Sequence, residues 1–299
     1  MEIRTVALIG RYQDSKLAAH LHALAQQIEA AGRTILIERE TAKNTDLTAY
    51  PVASYEEIGL RADLAIVLGG DGTMLAAARN LAPSGVPVAG INHGRLGFIT
   101  DIPLQHTSTA IHNLLSGQYE IESRLLLEGK IIRDGQCLYQ ATALNDVVLN
   151  RAGRGGMIEV QADVDNHFMF TVRADGLIVS SPTGSTAYAL SAMGPILHPS
   201  IRALLLVPVA PQTLSNRPIV LPDTSQVTLT VLAMSRTDTG ASVHFDMQTW
   251  SDLQLGDQIQ VQRAESEVKF IHPHGYSFFT TLRKKLDWNR LPATGNEEE

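Results

Sequence analysis

Cysteine is nearly absent from this 299-residue chain: Cys137 is the only one. An intrachain disulfide and a cysteine-based zinc site are both excluded, and the sequence suits a reducing compartment. Dense basic runs are absent too. A formal net charge of −7 speaks against a nucleic-acid partner, although an anionic small molecule needs only a local positive potential. No stretch approaches the roughly 20 apolar residues of a membrane span. The opening MEIRTVALIGRYQ has an apolar run too short for a secretory signal and is predicted to be a first strand. The expectation is a soluble, cytoplasmic protein. Three common signatures are also missing: G-x-x-x-x-G-K-[ST], G-x-G-x-x-G after the first strand, and the G-x-S-x-G elbow of serine hydrolases.

What remains is an apolar fraction of 44% spread over a chain long enough for two domains. The first third alternates two periodicities. TVALI, TILIE, LAIVL and VPVAGIN are predicted strands. Leu17, Leu21, Leu24 and Ile28 recur at helical spacing before Gly32, and Ile111, Leu114 and Leu115 mark a helix ending near Gly117. Such alternation implies a parallel sheet covered on both faces. From about Glu120 the runs become short and β-prone, with Asp165-Asn166 between two alternating segments as a hairpin turn. ALLLVPVA, SQVTLTVLAM, SVHFDMQTW and DQIQVQRA are further predicted strands, and YSFFTTLRKKLDW returns to a helical pattern. The expected division is an α/β domain over residues 1–120 plus about 271–299, and a β-rich domain over 121–270.

LAIVLGGDGTML (64–75) reads as strand, tight turn and helix start. Two readings stand. In one, Asp71 or Thr73 is an N-cap worth about 1 kcal/mol and the glycines make a turn. In the other, Gly69, Gly70 and Gly72 leave backbone N–H groups bare for phosphate oxygens at a helix N-terminus. Asp71 then needs a purpose beside phosphates, and a kinase supplies one: a base that orients the attacking hydroxyl and accepts its proton.

Four further stretches bear on that choice. INHGRLGFITD carries Asn92, Gly94 and Gly97 around Phe98, either a loop offering an aromatic face to a flat ring or a turn with Phe98 in the core. LNDVVLNR puts Asn145 and Asp146 at a strand start, where amide and carboxylate clasp hydroxyls or form an Asx turn. RADGLIVSSPTGSTAYALSAMGP holds Arg173 and Asp175 before an apolar strand, then a predicted helix starting over Ser185–Tyr188, with Tyr188 available for stacking. HPHGYSF holds His272 and His274, expected at the surface and not as metal ligands. Cys137 is expected to be a packing residue, and LRKKLDW a solvated basic face.

The ordered set GGDGTML, NHGRLGF, NDVVLNR, DGLIVSSPTGSTAY, PVAPQTLSNRPIV and HPHGYSFFTTLRKKLDW resembles the NAD kinase family over nearly the whole chain. A bare G-G-D-G is shared with phosphofructokinases and diacylglycerol kinases; the long Asp175–Tyr188 segment is the specific part. The resemblance implies a Rossmann-like α/β domain carrying the G-G-D-G turn, a β-rich domain, and a C-terminal helix returning to the first domain. It implies ATP-dependent phosphorylation of the adenosine 2′-hydroxyl of NAD, with Mg²⁺ or another divalent cation arriving bound to ATP and no dedicated protein metal site. Asp71 matches the family's base. Gly72 and Phe98 match positions around the dinucleotide, Asn145 and Asp146 the pair that grips it, and Arg173 and Asp175 the diphosphate and nicotinamide side. Thr186, Ala187, Tyr188 and Ser191 match the dinucleotide-contacting helix start, and Ala210 and Gln248 later pocket positions. A homo-oligomer, dimer or tetramer, is implied as well.

Overall fold

The computed structural model describes residues 2–10, 17–94, 97–152, 156–234 and 240–288. The chain divides into two compact units, residues 1–77, 86–122 and 270–299 forming one and residues 78–85 and 123–269 the other.

In the first unit, β1 (Thr5–Gly10) leads to α1 (Ala18–Ala30), whose Leu21, Leu24, Ala25 and Ile28 are buried at helical spacing. Gly32, at φ +71°, ends that helix as the sequence predicts. Then follow β2 (Thr34–Glu38), α2 (Arg39–Thr45), β3 (Val52–Ala53), α3 (Tyr55–Arg61), β4 (Leu64–Gly69), α4 (Asp71–Leu81), β5 (Val88–Asn92), β6 (Ile102–Pro103) and α5 (Thr107–Leu115). Neither α2 nor α3 stands out by periodicity. Both have seven residues and begin at a side-chain cap: Glu38 accepts from the Glu40 and Thr41 amides, and Ser54 and Glu57 form a reciprocal capping box.

The parallel strands run in the order β5-β4-β1-β2-β3. Because β1 leads outward to β2 on one side and β4 to β5 on the other, the order reverses between β1 and β4. The carboxyl ends of these two strands are therefore the topological switch point, the place where doubly wound sheets bind ligands. Gly10 lies opposite Leu68 there, and the next residues of β4 are the glycines. One core, containing Val6, Leu8, Leu21, Ile28, Leu64 and Ile66, holds the sheet against its helices.

In the second unit, β7 (Tyr119–Arg133), β8 (Gln136–Ala143), β9 (Asp146–Arg151), β10 (Ile158–Val164), β11 (His167–Ala174) and β12 (Gly176–Ser180) precede the short α6 (Tyr188–Ser191). Next come β13 (Ala203–Val209), β14 (Ile219–Pro222), β15 (Val227–Ala233), β16 (Ala241–Phe245), β17 (Thr249–Leu253), β18 (Gln258–Pro273) and α7 (Phe278–Lys285), with α7 back in the first unit. Asp165 and Asn166 both take positive φ between β10 and β11, the hairpin turn that the sequence predicts. One antiparallel sheet is ordered β14-β13-β12-β9-β16-β17, and β11-β10-β15-β18 are paired in another. β18 serves both units, Val261 pairing with Val227 of β15 and Phe270 with Val88 of β5.

Side chains from both antiparallel sheets share one core, Val147, Leu149, Leu177, Val179, Leu204 and Leu206 meeting Val160, Leu229 and Val261. The alternate residues Val148, Ile178, Leu205 and Val207 pack on the opposite face against Ala189 and Leu197. The central strands are thus buried on both faces, which is why they read as continuous apolar runs although they are antiparallel. Two readings need correction. SVHFDMQTW is not one strand but the β16–β17 hairpin, turned by Asp246 and Met247 at φ 51° and 56°. Cys137 is exposed on β8 and packs in no core.

Candidate active site

Asp71 is the first residue of α4 and half-buried. Its carboxylate is held from outside its own helix. Oδ2 accepts from the Phe98 amide at 2.8 Å, and Oδ1 from the Ile99 amide at 3.2 Å, the Thr100 amide at 3.1 Å and the Thr100 hydroxyl at 3.1 Å. Thr100 is itself oriented by a 2.9 Å bond from Asn92 Nδ2. Gly97 makes the approach possible, because a Cβ there would collide with Asp71 Oδ1. The ring of Phe98 is half-exposed with Lys285 Nζ 5.2 Å from its centroid, so one residue of the basic C-terminal helix is engaged and not merely solvated.

His272, expected at the surface, is buried at 2% exposure beside this segment. Its Nδ1 lies 2.9 Å from Asp101 Oδ2 and its Nε2 3.1 Å from Glu122 Oε2, while its ring stacks on Tyr276 at 3.8 Å. Two carboxylates take up both ring nitrogens, so the imidazole is buried without leaving a polar atom unpaired. His274 is the exposed one of the pair, with 59% of its side chain open to solvent.

In the second unit, Asn145 and Asp146 enter β9 through a turn whose backbone groups are all paired. The carboxylate of Asp246 accepts the amides of Leu144 (2.9 Å), Asn145 (2.7 Å) and Asp146 (3.2 Å). The Asp146 carbonyl accepts from the Asp246 amide at 2.9 Å, the Leu144 carbonyl from the Ser181 hydroxyl, and the Asn145 carbonyl from the Ser181 amide at 2.8 Å. By contrast, the side-chain oxygen Oδ1 of Asn145 is buried with no hydrogen-bond partner. Such a group is costly unless something donates to it.

Behind Asp246 stands Arg79, on α4 and eight residues after Asp71, at 3.3 Å from Asp246 Oδ2. The same guanidinium reaches the Phe245 carbonyl at 3.3 Å and Gln248 Oε1 at 2.5 Å. Burial raises the pKa of Asp246, opposed by Arg79 and by the three amides. Burial and then the Asp246 charge push Asp146 up to about 7. Both carboxyls are thus pushed up by burial, and the Arg79 cation and the three amides oppose the shift at Asp246. Neither Arg79 nor Asp246 is marked by motif or period. The available signals were an arginine inside the small-residue helix AAARNL and an aspartate amid apolar VHF.

The other candidates fall at two ends of β12. At the Ser180 end, next to Asn145, a helix was expected to start within Ser185–Tyr188. α6 does start at Tyr188 but has only four residues, after a 3₁₀ turn over Thr183–Thr186 and a break at Ala187 (φ −102°, ψ −126°). The amides of Gly184, Ser185 and Ala187 are taken up within the segment. Gly184 packs so tightly on the Asn145 carbonyl that a Cβ would collide with it. Thr186, Ala187 and Tyr188 are half-exposed and Ser191 is exposed. At the Gly176 end, Asp175 pairs with Arg151 at 2.7 Å, and exposed Arg173 with Glu159 at 2.8 Å. Exposed Ala210, at φ 46°, follows the Val209 carbonyl that accepts the Asp175 amide. These two clusters stand roughly 13 Å apart along the strand.

A doubly wound sheet presenting a glycine-flanked carboxylate at its switch point, with a β-sandwich bearing an amide-carboxylate turn, has the parts of a phosphotransferase. Residues 11–119 match the ATP-NAD kinase N-terminal domain and residues 144–273 the ATP-NAD kinase C-terminal domain. The chain is 64% identical over 294 residues to a NAD kinase of Bordetella parapertussis, with 98% of each chain covered. It is 60% identical over 299 residues to that of Bordetella avium, both covered in full, and 52% identical to that of Cupriavidus pinatubonensis, with 98% and 95% covered. In fold it is similar to the yeast NADH kinase complexed with NADH, at TM-score 0.88 and 22% identity, covering 99% of this chain and 91% of that one. It is also similar to an NAD kinase from Archaeoglobus fulgidus in complex with ATP, at TM-score 0.74 and 22% identity, covering 95% and 98%. The chain belongs to the NAD kinase family, phosphotransferases with an alcohol group as acceptor.

Proposed function

We propose that this family's reaction, transfer of the γ-phosphoryl group of ATP to the adenosine 2′-hydroxyl of NAD, runs here on Asp71 as the base. The observation that carries the reading is the state of that carboxylate. Among the described residues, Oδ1 takes three donors and Oδ2 takes the Phe98 amide. Oδ2 is thus the less crowded oxygen and the one proposed to receive the 2′ O–H. As the hydroxyl oxygen bonds to the γ-phosphorus, its proton passes to Oδ2 and the bond from phosphorus to the β,γ-bridging oxygen breaks, releasing ADP and NADP. Proton transfer need not be advanced early, since phosphoryl-transfer transition states are loose, and so a weak base suffices.

Gly69, Gly70 and Gly72 surround this base in a role for phosphates. A Cβ at Gly70 would meet nothing in the protein, so packing does not demand glycine there, whereas a closely approaching ligand would. Phe98 offers a half-exposed ring to a flat base, and the orphaned Oδ1 of Asn145 fits a ligand hydroxyl or amine. With them, Asp146, Arg173, Asp175, Thr186, Ala187, Tyr188, Ser191, Ala210 and Gln248 are proposed to hold the dinucleotide. Two clusters at opposite ends of β12 suit an extended ligand. The yeast neighbour's NADH and the Archaeoglobus neighbour's ATP support the two substrate classes.

Mg²⁺ is proposed to come with ATP, where it neutralises phosphate charge. No cluster of three or more His, Cys, Asp or Glu side chains able to hold a metal is present among the described residues, and the residues present fit an ion carried by phosphate oxygens and water. No helix among the described residues is long and apolar enough to cross a membrane. A cytoplasmic homo-oligomer, dimer or tetramer, is the accompanying proposal; the family resemblance supports the oligomer and the near-absence of cysteine the reducing compartment.

The test is to incubate the purified protein with ATP, Mg²⁺ and NAD and to identify the products. NADP with one ADP per turnover is expected. Asp71→Asn is expected to keep NAD binding in calorimetry and to lose about 10²–10⁴ in kcat. Near-normal turnover in that variant refutes the base assignment.

A further inference from the structure

The turn that offers Asn145 and Asp146 is built by a residue none of the functional motifs contains. We propose that Asp246 is a positioning residue for dinucleotide binding: its buried carboxylate, braced by Arg79, fixes the Leu144–Asp146 turn so that the Asn145 side chain faces the ligand. This rests on the reading that Asn145 contacts NAD.

Three consecutive amides converge on one carboxylate at 2.7–3.2 Å, across about a hundred residues of sequence. A reciprocal bond from the Asp246 amide to the Asp146 carbonyl closes a ring between the two segments. On the other side, Ser181 takes up the Leu144 and Asn145 carbonyls. The backbone amides and carbonyls of Leu144, Asn145 and Asp146 are thereby all committed, so leaving this conformation would break several buried hydrogen bonds. The Asp246 side chain is 0% exposed, and Arg79, at 11%, is the cation 3.3 Å from it. Charge-assisted bonds of this kind are about twice as strong as neutral ones. Asp246 itself stands at φ 51°, a conformation that aspartate tolerates better than most residues. Arg79 also holds Gln248 Oε1, so one guanidinium fixes two of the proposed dinucleotide-contacting positions. Asp246 touches no reacting atom in this scheme; it acts through Asn145.

The experiment is a double-mutant cycle in steady-state kinetics with NAD and ATP. Asp246→Asn keeps the size but replaces one anionic oxygen by an NH₂ group facing an amide and a guanidinium. Its expected effect is a rise in KM for NAD of about 10–100-fold, as for a lost charge-assisted contact, with KM for ATP and kcat each within about threefold. Asn145→Ala alone is expected to raise KM for NAD similarly. In the double variant the two effects should add less than fully, because the turn has lost the Asn145 side chain and only Asp146 is left to position. A folded Asp246→Asn with unchanged KM for NAD overturns the proposal, as does full additivity. If instead Asn145→Ala leaves KM for NAD unchanged, it is the reading of Asn145 as a ligand contact that fails. Should Asp246→Asn not fold, Arg79→Gln replaces it in the cycle; a selective rise in KM for NAD is again expected, and its absence overturns the proposal.

Discussion

Asp71 and Asp246 lie in different compact units, yet each accepts three successive backbone amides from a distant turn. Asp71 takes those of Phe98, Ile99 and Thr100, and Asp246 those of Leu144, Asn145 and Asp146. The device is shared and its setting differs. Asp246 is fully buried, braced by Arg79 and crowded by the acid Asp146. Asp71 is half-buried at the end of a parallel strand, with three described donors on Oδ1 and one on Oδ2. A carboxylate that is sealed from solvent can only hold structure. One that is held almost as firmly but half-exposed, with one oxygen less crowded, can still receive a proton.

The sharpest way to break this comparison is Gly97→Ala. A methyl group there must displace the Asp71 carboxylate, and a misplacement on the order of 1 Å costs about 10²-fold in rate. We expect kcat to fall by that order while NAD binding, followed by calorimetry, changes far less. Intact kcat would mean that the first clamp does not set the position of the base.

Asp146→Asn tests the crowding at the second clamp through stability. The folded-state pKa of Asp146 is pushed up to about 7 from the ordinary carboxylate range, so the native state holds its proton after the unfolded chain has lost it. The resulting stability is complete below about pH 4 and is lost as pH rises through about 7. Asparagine has no such loss. The unfolding free energy of Asp146→Asn relative to the parent, measured by denaturant titration, should therefore be more favourable near pH 8 than near pH 5, by on the order of 2 kcal/mol. A pH-independent difference would contradict the burial and like-charge account.

What the sequence disclosed and what it hid follow the same division. β2 has the bounds read from TILIE, and the Asp165-Asn166 turn and the Gly32 stop stand as expected, because periodicity and turn chemistry are local. The hairpin at Asp246-Met247 was hidden because neither residue advertises a left-handed turn as glycine would. The helix expected to start within Ser185–Tyr188 starts at Tyr188 and makes a single turn, the Gly184, Ser185 and Ala187 amides before it being taken by the Ser181 hydroxyl and the Pro182 and Gly184 carbonyls. Asp71, Asn145 and Asp146 were legible as chemistry in motifs. Asp246, Arg79 and Thr100 were not, since a carboxylate bound to amides a hundred residues away leaves no trace in spacing.

A gentler probe of the first clamp is Thr100→Val. It removes one of the four donors to Asp71 while keeping shape, and also the acceptor of the Asn92 amide. A single charge-assisted bond, about 1.5 kcal/mol, predicts a loss of roughly tenfold in kcat, measured at saturating ATP and NAD. An effect as large as that of Gly97→Ala would mean that the hydroxyl, and not the three amides, holds the base.

The two clamps also differ in what stands behind them, and this yields the smallest expected effect. Arg79 braces Asp246 from the interior, whereas the Phe98 segment that donates to Asp71 is backed by Lys285 at 5.2 Å from the Phe98 ring. An exposed cation over a ring contributes about 0.5–1 kcal/mol, which converts to a change of about two- to fivefold. Lys285→Met keeps the apolar stem and removes only the charge. If the ammonium merely steadies the ring for a base on its other face, KM for NAD should rise by that small factor with kcat unchanged. The charge should then matter only while the ring is present, so combining Lys285→Met with Phe98→Leu should add nothing to Phe98→Leu alone. Additive losses would show that Lys285 acts directly on an anionic substrate, and the backing of the first clamp would then be supplied by the ligand and not by the fold.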